Sequence, residues 1–85
     1  MKKANEQMQG ILDSLTALLE DPVVPRNVKL KIEAVIKILS QDAETSIKVN
    51  KALHELDDIA GDSNMQVFTR TQLWNIVSTL ESLGN

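Results

Sequence analysis

The chain has 85 residues, 42% of them hydrophobic, with a formal net charge of −3 and no cysteine. That composition is too apolar for a disordered segment, excludes disulfides, and with one histidine leaves no ligand set for a structural zinc site. A single domain is expected, held by apolar packing and supplemented by self-association, because so short a chain hides only about 60–65% of its unfolded surface.

The first predicted element is a helix over residues 5–20. Met8, Ile11, Leu12, Leu15, Leu18 and Leu19 recur at spacings of three and four and form one apolar stripe. Gly10 interrupts it at a cost of about 1 kcal/mol relative to Ala, and reads as a weak spot rather than a close backbone contact. Pro22 stops this helix. Pro25 suits the first turn of the next, where no intrahelical N–H is needed. Val23 and Val24 are too apolar for an idle loop and are expected to pack beneath the hairpin.

The second helix is predicted over residues 25–40, with Val28, Ile32, Val35, Ile36 and Leu39 inward. Leu30, Ala34 and Ile38 form a different stripe on it. Lys29, Glu33 and Lys37 stand four apart along one face, where they can pair. The third helix is predicted over 43–60, with Asp42 as N-cap and Glu44 favouring the positive helix end. Its inward set is Val49, Ala52, Leu53, Leu56, Ile59 and Ala60, and Ile47 falls on the opposite side. Gly61 is the residue type expected just past a helix C-terminus. The fourth helix is predicted over 66–83, with Leu73, Ile76, Val77, Leu80 and Leu83 inward.

The two halves repeat each other at an offset of 41 residues, from Met8 to Val49. Leu15 reappears as Leu56, Asp21 as Asp62, Val24 as Met65, Ile32 as Leu73, and Leu39 as Leu80. Few identities survive, but the apolar register does, which reads as two helix–turn–helix units burying their faces on each other. The predicted fold is therefore all-α: an antiparallel four-helix bundle of two helical hairpins, over about 5–40 and 43–83. The alternative is a two-unit HEAT-like helical stack, because Asp-x-x-Val-Pro-Arg-Asn-Val is similar to the joint before the second helix of a HEAT repeat. Such a stack must have its ends capped.

Catalytic equipment is sparse. His54, with Glu55 and Asp58 nearby, is the one candidate for a small metal-dependent hydrolase, with Asp58 placed to orient the ring. No cysteine nucleophile exists, and Ser14, Ser40, Ser46, Ser63, Ser78 and Ser82 stand in no activating motif. Asp57, Asp58 and Asp62 read as a solvated acidic helix end, since the Glu-x-x-His and calcium-loop patterns are absent. No glycine-rich phosphate loop occurs. No cofactor, metal or catalytic residue is assigned.

Two surfaces remain as candidates. Leu30, Ile38, Ile47, Phe68 and Trp74 lie off the main stripes, more apolar surface than one small core absorbs, and point to a protein interface. Arg26, Lys29, Lys31 and Lys37 lie in a window from Arg26 to Lys51 that carries +3, against −6 for the remainder. They are candidate contacts for phosphate or an acidic partner. The leading expectation is a non-catalytic, self-associating interaction or scaffold module. The alternative is an accessory protein of RNA or a ribonucleoprotein, although a pI near 5 and two aromatics disfavour nucleic acid. No stretch is apolar enough to span a bilayer, and Met-Lys-Lys-Ala-Asn-Glu lacks the apolar core of a signal peptide, so a cytoplasmic location is expected, with no membrane partner.

Val-Pro-Arg-Asn-Val (24–28), Leu-Asp-Asp-Ile-Ala-Gly-Asp-Ser-Asn-Met (56–65) and Thr-Gln-Leu-Trp-Asn-Ile-Val-Ser-Thr-Leu-Glu (71–81) together resemble the small archaeal uncharacterised protein family 0147. The similarity runs from about Leu12 to Glu81. It implies a four-helix bundle and an archaeal cytoplasmic source, and transfers no activity, cofactor or site residue. Gln66 departs from the family pattern, which has proline there, and bears on how the last helix starts.

Overall fold

Apolar residues at helical spacing form four helices: α1 (Lys2–Glu20), α2 (Arg26–Ser40), α3 (Thr45–Ala60) and α4 (Val67–Gly84). The computed structural model describes the backbone of residues 2–62 and 64–84, with side chains from Glu6 onward. The reading of Ser63 lies outside the described residues. Each helix packs against two others, in the cyclic order α1–α2–α3–α4–α1, and among the described residues the backbones of diagonal pairs do not come within 8 Å, Cα to Cα. A HEAT-like stack would instead set α1 on α3 and α2 on α4, so the closed ring identifies an antiparallel four-helix bundle. The α1–α4 seam is the loosest of the four.

The core follows the repeat register. Leu15 and Leu56 are fully enclosed, as are Ile32 and Leu73, while Val24 and Met65 close the end below them. Val28 is matched by Thr69, the single buried polar residue among those described. Met8, Leu12, Leu19, Ile36, Leu53 and Leu83 are only partly buried at the rim of this core. They sit at the edges of their stripes, where a neighbouring helix covers one side alone.

The first and third joints repeat each other bond for bond. The Asp21 carboxylate accepts from the Val23 N–H at 3.0 Å, and the Asp62 carboxylate from the Asn64 N–H at 2.8 Å. The Asp21 carbonyl accepts from Val24 N–H, as the Asp62 carbonyl does from Met65 N–H. Short acidic side chains bond readily to the backbone two residues on, which tightens such turns. One cross-link joins the two turns: Asn27 Nδ2 donates to Asp62 Oδ2 at 2.7 Å.

Several local expectations are corrected. Val23 is 51% exposed, and only Val24 packs beneath the hairpin, because the turn at Asp21 points alternate residues inward and outward. Pro25 is the N-cap residue, with ψ at 149°, and α2 begins at Arg26. Asp42 does not cap α3. The second joint turns at Gln41–Ala43, which moves the helix start to Thr45 and leaves Glu44 at the N-cap without a side-chain bond. Helix α4 likewise starts one residue late, at Val67, with the Gln66 carbonyl accepting from Arg70 N–H. Gly61 is the C-cap, but at φ −92° it needs none of glycine's freedom. A Cβ built on Gly10 meets nothing within 4 Å, so no close approach explains it.

Candidate functional site

The off-stripe apolar residues do not converge on one spot. Leu30 on α2, Ile47 at the start of α3, and Phe68 and Trp74 on α4 are all exposed. Ile38 is half-buried against the core instead. It faces α3, where a shallow open hollow of about 480 Å³ is lined by Ile38, Asn50, Lys51, His54 and Glu55. Two exposed residues were missed by periodicity: Val67 at 76% and Val23. The repeat carried the signal, since their counterparts are Arg26 and Asn64, both ordinary surface residues.

The candidate basic face is divided. Arg26 and Lys37 are exposed and Lys29 is half-exposed on α2. Lys31 turns instead into the α2–α3 seam. Its ammonium donates to Glu55 Oε2 at 3.2 Å and Asp58 Oδ2 at 3.3 Å. These two bonds, Glu55 first, raise the Lys31 pKa above its ordinary value. The bridge also takes the carboxylates expected to serve His54. Among the described residues no hydrogen bond links His54 to Asp58, and no group of three acidic, His or Cys residues is placed to hold a metal ion. Asp62 is turned to Asn64 and Asn27, away from Asp58. Those two hydrogen bonds, aided by nearby Arg70, hold its carboxyl below the usual range.

The larger concavity lies on the opposite seam. Between α1 and α4 runs a groove of about 500 Å³, floored by Ile11, Leu18 and Ile76. Gly10, Ser14 and Ala17 form one wall, and Gln72, Asn75 and Thr79 the other. None of its lining residues is charged. Gln72 Oε1 is buried with no hydrogen-bond partner among the described residues. No helix is long and apolar enough to cross a membrane among the described residues.

Comparison with known proteins places this bundle. A crystal structure of the unknown function protein MMP1188 superposes with a TM-score of 0.88 at 35% identity, covering 95% of this chain and 93% of that one. A UPF0147 protein of Methanocaldococcus jannaschii is 38% identical over 81 residues, covering 94% of this chain and 87% of the relative. One of Archaeoglobus fulgidus is 31% identical over 81 residues, covering 95% and 93%. The model of an uncharacterised protein family (UPF0147) matches residues 1–83. The chain therefore belongs to that uncharacterised family, a group with archaeal members.

Proposed function

We propose that the chain is a non-catalytic helical interaction module of the cytoplasm that associates with itself. The observation that carries this is the apolar surface left outside the core. Val23, Leu30, Ile47, Val67, Phe68 and Trp74 are each between 47% and 76% exposed. Leu30, Ile47 and Val23 stand singly, but Val67, Phe68 and Trp74 are gathered on α4, with Val67 and Trp74 on one face at a spacing of seven, and a local apolar stripe of that kind is what a second protein surface covers. Light scattering across a concentration series tests the reading. An oligomer is expected, and a strict monomer at high micromolar concentration would remove it.

A second reading, an accessory role on RNA or a ribonucleoprotein, is favoured by Arg26 and Lys37 being exposed and without ion-pair partners among the described residues. Phosphate contacts weaken steeply as salt rises. Retardation of RNA at low salt that vanishes at high salt supports it, and no retardation at low salt ends it.

A further inference from the structure

The two lateral seams of the bundle are repeat counterparts with opposite chemistry. On the α2–α3 seam, Lys31 is bonded to Glu55 and Asp58, and Lys51 lies beside Glu55 in the adjoining hollow. On the α1–α4 seam the same four positions are Gln72, Ser14, Ala17 and Gly10. Every charge is gone, and three of the four side chains have shrunk to a methylene alcohol, a methyl or a hydrogen. What remains is the 500 Å³ groove, with the Gln72 Oε1 unpartnered where the Lys31 ammonium is doubly bonded.

The helix beside the groove has lost its charges too. From Val67 to Leu80, Arg70 is the only charged residue of α4, and its guanidinium is turned to the Asp62 carbonyl at 3.1 Å. Phe68, 68% exposed, stands in line with Gln72, Asn75 and Thr79 at spacings of four, three and four, so it continues the groove wall beyond its end.

We infer that the α1–α4 groove is the docking site for helix α4 of a second copy of this chain, which rests on the self-association proposed above. Charge selects the occupant. Burying a charge without a partner is costly, so an uncharged groove calls for an uncharged helix. Within this chain α4 is the helix that fits, whereas α2 and α3 carry charges along their outer faces. A two-fold arrangement sets the same patch on both copies, so each α4 enters the other's groove in one interface. Length agrees: the groove follows α1 from Gln7 to Leu18, about 17 Å at about 1.5 Å per residue, and α4 from Phe68 to Thr79 covers the same span. Gly10, Ser14 and Ala17 let a helix approach closely, and the docking removes Phe68 from water.

Sedimentation velocity on four proteins tests this: wild type, Ser14→Arg, Asn75→Arg and, as a control at the exposed end of α2, Ser40→Arg. Ser14 and Asn75 are exposed in the protomer, so both groove variants are expected to melt like wild type by circular dichroism at a concentration low enough to keep the wild type monomeric. The expected result is a dimer for wild type and Ser40→Arg, and at least tenfold weaker association for Ser14→Arg and Asn75→Arg. Groove variants that associate like wild type would overturn the α1–α4 assignment and leave self-association standing. A wild type that stays monomeric at high micromolar concentration would end both.

Discussion

Asn27 donates from Nδ2 to Asp62 Oδ2 at 2.7 Å, tying the joint before α2 to the joint before α4. The repeat counterpart of this pair is Phe68 with Asp21, and phenylalanine has nothing to donate. One of two equivalent corners is therefore cross-linked, and the other presents an exposed aromatic. Asp62 carries more than Asp21 in another way, since its carbonyl also accepts from Arg70.

Acid should expose this difference. The Asn64 N–H first, and the Asn27 amide second, lower the Asp62 pKa in the folded chain. A carboxyl with a lowered folded pKa adds stability above its unfolded value of about 3.9, and that contribution is lost as pH falls through the lower folded value. Thermal melts from about pH 7 down to about pH 2 are expected to show a drop in Tm beginning near pH 4. Asp62→Asn removes the titrating group and should flatten its share of that drop. Asn27→Ala, which keeps the Asn64 bond, should flatten it only partly.

The core gradient gives a second expectation. Leu15 and Leu56 are fully enclosed, so truncating either to Ala should cost about 2–5 kcal/mol in urea unfolding. Leu53 has the same periodicity but is only partly buried at the rim. Leu53→Ala should cost clearly less than Leu56→Ala. Equal losses would mean that α3 is rotated about its axis relative to this structure.

Thr69 occupies the position that Val28 fills in the first repeat, and its Oγ1 is buried without a hydrogen-bond partner among the described residues. An unsatisfied buried hydroxyl costs about 1–3 kcal/mol, and valine has the same shape without it. Thr69→Val should therefore stabilise the protein by about 1 kcal/mol or more. A destabilised variant would show that the hydroxyl has a partner in solution, such as water.

Gly10 is exposed within α1, with open space where a Cβ would stand. Gly10→Ala should raise stability by up to about 1 kcal/mol through helix propensity alone. Chemical denaturation at low protein concentration checks this on the protomer. At high concentration the same variant narrows the groove by one methyl, so any weakening of association is read separately from the gain in folding.

Much of the bundle is legible from spacing. The inward faces of all four helices follow from three-and-four periodicity, and the matching joints follow from Asp21 and Asp62 recurring with Val24 and Met65. Helix starts were less legible. Asp42 looks like a cap, yet the turn at Gln41–Ala43 sets the start of α3 later, and that turn depends on how far apart α2 and α3 stand. The candidate surfaces were half legible: periodicity identified Leu30, Ile47, Phe68 and Trp74 as off-stripe, but placed Ile38 with them and passed over Val67.

The amino-acid order by itself determined which side of each helix avoids water, because side-chain direction along a helix is set by a fixed rotation per residue. It also determined that two hairpins share one register, and that α4 carries almost no charge. Tertiary structure alone decided that Lys31 reaches Glu55 and Asp58, across 24 and 27 residues, and that the equivalent seam between α1 and α4 stays open. Periodicity is a property of one helix, whereas a seam is a property of two. Only the closing of the ring selects which pairs of faces meet.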